Sequence, residues 1–340
     1  MIISRTPYRI SLAGGGTDFP EWVHQYPSKV LSFAFNKYSF LTFRKNISNT
    51  APKFKLKYSV TEEISRVEMI KHPLIREAIK FLNYKDGFEL HHDTDLPTRS
   101  GIGSSSSFLV GLIKTLMTDL GKKISNKELA EITTLIERDL VGDRVGYQDP
   151  IPAAFGGLNS IEFFSNSNKV SAKVENIDIT VKKQKQLESS INLVYSGIQR
   201  NSSAVHTKSD IVQNTNFKTY EKLMLSTYNL AKRVESIFQL GSDLEEIADV
   251  FNLSWDIKVQ LNSESMNSEL LQLKNFGFSK GATGAKVLGS GGGGFIAFWV
   301  PEKNQSHFYN SFDQGRITKV KFDKEGSKII YDDTEDNSID

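Results

Sequence analysis

Cysteine is absent from the 340-residue chain, and that absence removes disulfides, thiolate metal sites and cysteine nucleophiles together. Net charge is nearly absent too. The 42 Lys and Arg against 40 Asp and Glu leave +2, too little for the global basic field that captures nucleic acid, although local basic residues remain to serve a small anionic ligand. No apolar run approaches the ~18 residues of a membrane span, and the opening stretch MIISRTPYRISLAGGG lacks a signal-peptide core. A cytoplasmic protein with no nucleic-acid and no membrane partner is therefore expected. What is present is ordinary for a globular chain, 39% apolar and 24% charged residues, with length for roughly two domains.

Strands and helices are mixed along the chain rather than strictly alternating, which predicts an α+β fold. MIISRTPYRISLAGGGTDF reads as a strand ending in a glycine-dense turn, and KVLSFAFNKYSFLTFRK as one or two strands. Leu109, Leu112, Ile113, Leu116, Met117 and Leu120 recur at helical spacing before Gly121. Ser125 and Glu128 form a capping box for the next helix. YQDPIPAAFGG reads as a breaker-rich loop. The polar run Lys182–Ser190, without long periodicity, marks the expected boundary between an N-terminal domain, 1–185, and a C-terminal domain, 186–330. In the second half, long helices are expected over about 201–240 and 243–262, then a Gly-rich segment, the strand FIAFWV and a hairpin RITKVKF–DKEG–SKIIY. Residues 331–340 read as an acidic, disordered tail.

The segment PTRSGIGSSSSF stands between a strand and the helix of Leu109. A linker would not join them so abruptly, and a plain helix cap needs one serine and no glycine pair. Two glycines let backbone approach a ligand, while the first turn of the helix points free N–H groups and its positive dipole end outward. Phosphate binding is the better reading. No Walker loop occurs, and the one G-x-G-x-x-G match, Gly289–Gly294, precedes a strand rather than a helix.

Three separated motifs, PYRISLAGGGTDF, LPTRSGIGSSSS and GAKVLGSGGGGF, occur in an order that resembles the GHMP kinase family over about residues 1–300. The GGGTD variant is closer to the sugar-kinase branch with heptose 7-phosphate and fucose kinases than to galactokinase, which has a Glu-His pair before Thr-Asp. The resemblance implies a two-domain fold with ATP in the interdomain cleft, Mg²⁺ on its phosphates and a sugar phosphate as acceptor, phosphorylated at the anomeric hydroxyl. A free-sugar kinase and a non-catalytic ligand sensor are the alternatives. Whether the chain forms a homodimer is left open.

Carried over by motif position, Ser100, Gly101, Ile102, Gly103, Ser104, Ser105 and Ser106 form the nucleotide loop. Ser105 and Glu137 are the implied Mg²⁺ ligands, a set suited to an ion that takes one or two carboxylates plus phosphate oxygens and water. Asp149, twelve residues after Glu137, is the implied catalytic base, and Arg9 the cation that pairs with it. Gly15, Gly16, Thr17 and Asp18 are expected at the sugar, and Arg144, Arg200 and Lys208 are candidates for its remote phosphate. The GSGGGG run is expected to pack closely on the nucleotide loop. His91 and His92, adjacent on a strand, point to opposite faces and read as structural.

Overall fold

A computed structural model of the chain describes residues 1–46, 52–167, 169–198, 216–262, 266–313 and 315–333. The central strand pair is β1 (Ile2–Ala13) and β2 (Ser28–Lys45), antiparallel and hydrogen-bonded along most of β1. β2 is a single strand of 18 residues, long enough to serve two partners. Its first part pairs with β6 (Leu158–Asn166) and its second with β5 (Phe88–Thr94). β3 (Phe54–Lys57), β4 (Thr61–Ile64) and β7 (Lys169–Asn176) extend the sheet.

One irregularity in this pairing decides where the site lies. The β1–β2 register shifts between Pro7 and Tyr8, and the faces of β1 exchange there. Before the shift, Ser4 and Thr6 lie against Gly111 of α3 (Ser104–Asp119). After it, Tyr8, Ile10 and Leu12 enter the opposite core, and Arg9 faces the start of α3 at Gly103. Re-aiming a side chain is what such irregularities do beside functional sites.

α2 (Pro73–Phe81), α3, α4 (Asn126–Leu135) and α5 (Pro150–Phe155) cover one face of this sheet through Leu109, Leu112, Ile113, Leu116 and their neighbours. The other face packs Leu31, Phe33 and Phe35 of β2 against a second sheet, β11–β8–β10–β9 (Ile317–Lys319, Ile191–Tyr195, Phe295–Trp299, Gly284–Val287). α7 (Phe217–Gln239) and α8 (Glu246–Leu261) contribute Val234, Ile237 and Phe251 to that shared core.

Several expectations are corrected. RITKVKF and SKIIY do not form a hairpin. β11 joins the second sheet, whereas β12 (Lys328–Asp332) crosses back and pairs with β1 of the first. Strand β12 includes Tyr331 and Asp332, the first two positions of the expected acidic tail; 334–340 lie outside the described residues. The polar run at 182–190 is helical, α6 (Val181–Ser190), with Thr180 as its cap and Leu187 buried beneath it. YQDPIPAAFGG contains α5, because Pro150 at its first position needs no N–H partner. A further helix, α9 (Ser268–Ser279), was hidden by its weak apolar stripe.

Candidate active site

Arg9 and Asp149 meet between β1 and the start of α5. Arg9 Nε and Nη2 donate to Asp149 Oδ1 and Oδ2, each at 2.8 Å, a fork-on-fork pair of fixed geometry. The arginine is buried at 4% exposure, while the Asp149 side chain keeps 25%, so the carboxylate has a solvent-reachable side. Asp149 Oδ2 also lies 3.5 Å from where a Gly103 Cβ would sit. Asp149 and the Gly/Ser loop are therefore in contact across Arg9.

The loop itself is held from below. Ile102 is buried and its carbonyl accepts from Arg9 N at 3.1 Å; the Gly101 carbonyl accepts from Arg9 Nη1 at 2.5 Å. Arg99, Gly101 and Gly103 all have positive φ, at 59°, 86° and 74°. Gly103 is the N-cap of α3, and no side chain caps the helix. The cap reading of the serine run thus fails, and among the described residues the first-turn N–H groups have no side-chain acceptor. A 16-residue helix presenting such an end favours an anion there. The serines divide the remaining work. Ser100 Oγ folds back to Pro97 O, Ser104 Oγ accepts from Arg99 N, and Ser107 Oγ anchors the helix to Pro7 O.

Ser105 and Ser106 turn to Glu137. The α4 helix continues into one π turn, Ile136–Leu140, of the kind found at functional sites. This turn buries Glu137 at 2% exposure, where Ser106 Oγ donates to its two oxygens at 3.0 and 2.8 Å. Burial pushes the carboxyl up to about 8; the serine hydroxyls of 106 and 105 pull it down, and the charge of Asp149 raises it further. Among the described residues no group of three or more His, Cys, Asp or Glu is arranged around a metal. Glu137 with two hydroxyls is instead a hard, all-oxygen set that phosphate oxygens and water would complete, and it fits Mg²⁺.

The GGGTD turn closes the other side. Asp18 is fully buried and accepts from Gly16 N at 2.9 Å, Gln148 N at 3.1 Å and Gln148 Nε2 at 3.0 Å. Burial, then the charge of Asp149, raises its pKa against those donors. A Cβ at Gly146 would stand 1.9 Å from Asp18 Oδ2, so this packing requires glycine there. Thr17 Oγ1 bonds the Gly14 carbonyl at 2.8 Å, which makes it a turn brace. Gly15 lies beside Gln148 and Ser11, and Gly16 lies under Met224 of α7.

The third motif packs on the loop as expected: Phe295 N donates to Ser100 O at 3.1 Å, and a Cβ on Gly294 would collide with that carbonyl at 2.2 Å. Arg144 is half-exposed at the rim and pairs with Glu21 at 3.2 Å. Arg200 and Lys208 lie outside the described residues. His92 bonds Ser39 Oγ at 2.9 Å and packs on Phe108, and burial lowers it to about 4. Two contributors escaped sequence reasoning. Gln148 joins Asp18 to Asp149 and was visible only as the chain neighbour of Asp149. Lys286, inside GAKVLGSGGGGF, sends its buried amine to Ser11 O at 2.6 Å; burial, then Arg9, lowers it to about 7.

This arrangement matches known proteins along its length. A family model described as GHMP kinases N terminal domain matches residues 73–157, and one described as GHMP kinases C terminal matches 230–314. The D-glycero-alpha-D-manno-heptose 7-phosphate kinase of Campylobacter jejuni is 27% identical, over 96% of this chain and 98% of its own. A crystal structure of a D-glycero-D-manno-heptose 1-phosphate kinase from Bacteroides thetaiotaomicron superposes with a TM-score of 0.78 at 22% identity, covering 98% of this chain and 100% of that one. A putative sugar kinase from Campylobacter jejuni gives 0.73 at 25% identity, over 96% and 97% of the two chains.

Proposed function

The chain belongs to the GHMP kinases, and from that premise we propose that it moves the γ-phosphoryl group of ATP onto the anomeric hydroxyl of D-glycero-D-manno-heptose 7-phosphate, giving the 1,7-bisphosphate. The observation that carries this substrate is the end-to-end similarity to the Campylobacter jejuni heptose 7-phosphate kinase. Such a product suits the synthesis of nucleotide-activated heptose for surface glycans.

In this reading Asp149 takes the proton of the attacking hydroxyl on its exposed side, while Arg9 fixes the plane of the carboxylate from the buried side. The N–H groups opening α3 and the backbone around Gly101–Gly103 hold the phosphates. Glu137 and Ser105 would hold Mg²⁺, which neutralises charge on the transferring group. Asp18, steadied by Gly16 and Gln148, orients the sugar with Gly15 and Thr17 nearby. The exposed Arg144–Glu21 pair is of a weak kind, so Arg144 is free to exchange Glu21 for a substrate phosphate; Arg200 and Lys208 are the other candidates.

The test is ADP formation across free hexoses, hexose phosphates and heptose 7-phosphates, with ³¹P NMR of the product. A new anomeric phosphate on the heptose 7-phosphate is expected. Preference for an unphosphorylated sugar would replace this reading with a free-sugar kinase such as a fucokinase.

A further inference from the structure

Two polar atoms near Gly15 have no hydrogen-bond partner among the described residues, although both residues are more than nine-tenths buried: Ser11 Oγ, at 6% residue exposure, and Gln148 Oε1, at 8%. Ser11 follows Arg9 by two positions on β1 and so shares its face. The Gln148 amide has one defensible orientation. Its Nε2 donates to Asp18 Oδ1 at 3.0 Å, and turning it over would press Oε1 against a carboxylate oxygen.

Gly15 connects the two atoms. A Cβ built there would lie 3.4 Å from Ser11 Oγ and from Gln148 Nε2 and 3.9 Å from Gln148 Oε1, so the serine hydroxyl and the end of the amide both line the space its missing side chain leaves. An unpaired buried acceptor and hydroxyl are destabilising unless water or a ligand completes them. A hydroxyl can do this, since it accepts from Ser11 Oγ–H and donates to Gln148 Oε1 at once. Gln148 immediately precedes the proposed base, which in the kinase reading puts this pair near the reacting end of the sugar.

We infer that Ser11 and Gln148 together bind the sugar hydroxyl on the carbon adjacent to the phosphorylated position, and that Gly15 keeps its place open. This assignment makes them specificity residues and rests on the kinase reading above. It selects acceptors with a vicinal diol at the reacting end and rejects deoxy sugars there.

Wild type, Ser11→Ala and Gly15→Ala are to be compared on D-glycero-D-manno-heptose 7-phosphate and its 2-deoxy analogue, with the KM for ATP and the melting temperature followed separately. If the panel identifies another sugar, that sugar and its analogue deoxygenated beside the reacting carbon take their place. Wild type should lose roughly 10- to 100-fold in kcat/KM on the deoxy analogue, the range for a lost hydrogen bond in a buried site. Ser11→Ala should lose about 5- to 10-fold on the full sugar and nothing on the analogue. Gly15→Ala makes only ordinary contacts, and its methyl fills the hydroxyl's space. It should lose about 10-fold on the full sugar and equal or exceed wild type on the analogue. Equal use of both sugars by wild type, or equal losses by the variants on both, overturns the assignment. Absence of sugar-dependent ADP formation in wild type overturns the kinase reading itself, and this assignment with it.

Discussion

Asp149 and Glu137 are two carboxylates of one site treated in opposite ways. Asp149 sits at the head of α5 with a guanidinium bonded across both oxygens and one side open to solvent. Glu137 is sealed in a π turn with only serine hydroxyls for company, and burial lifts it to about 8. The difference teaches that burial is not what makes a carboxylate reactive. The bonded guanidinium orients Asp149 with one side open, as the proposed base requires, whereas Glu137 has no cation beside it among the described residues, which suits the proposed metal ligand.

The most damaging way to break the contrast is to remove the charge of Asp149 while keeping its shape. Asp149→Asn should reduce kcat by ~10²–10⁴ with ATP affinity little changed, and should lower the melting temperature because buried Arg9 loses its charged partner; a folded variant with normal turnover would contradict the assignment of the base. Gly103→Val comes next. Gly103 holds φ 74°, and a Cβ there presses on Arg9 Cγ at 3.1 Å, so both strain and blocked approach oppose nucleotide binding. A loss of ~10-fold or more in ATP affinity is expected by calorimetry, and unchanged affinity would return the loop to a structural role.

Glu137→Gln sharpens the other half of the comparison. It should raise the Mg²⁺ concentration for half-maximal rate by ~10-fold, with the KM for sugar nearly constant. An unaltered Mg²⁺ titration would argue that Glu137 is only a buried brace for Ser106.

The smallest effect concerns the cation across the cleft. Unfolded, the Lys286 amine keeps its proton to ~10.4; folded, it releases it near 7. Between those values the unfolded chain binds the extra proton, so wild type gains stability as pH rises, and Lys286→Met lacks that gain. Denaturant melts at pH 7 and 8.5 should shift the gap between the two proteins by roughly 1–2 kcal/mol in favour of wild type. A gap that stays constant means the amine is not displaced from its usual range.

Much of this site was legible because its residues sit inside short motifs whose chemistry is local. The glycine pair, the serines and the capping box of Ser125 and Glu128 act within a few residues, and α3 and α4 begin where they indicate. The strand β1 was legible for the same reason. What could not be read was set by distant packing. Ser106 donates to both Glu137 oxygens, with Ser105 beside it, because a π turn, unforeseeable from periodicity, swings that carboxylate into reach. Lys286 carried no signal of its own in the sequence, because its amine reaches Ser11 O only once the second sheet packs on the first. The hairpin error had the same origin: turn residues joined two strands correctly in sequence, but β1 offered SKIIY a better partner than its neighbour did.

That return of β12 has a consequence for the order in which the molecule can be made. Strand β1 leaves the ribosome more than 300 residues before β12, yet among the described residues one of its edges is covered by 328–332. Thr6 waits for Ser327, and Arg5 for Asp323, across more than 300 intervening positions. The first sheet therefore cannot close until the strands of the second have been synthesised, and the nascent chain must carry an open β1 edge while the intervening residues are made. Strand β12 acts as a latch, and it ties closure of the first sheet to synthesis of the second.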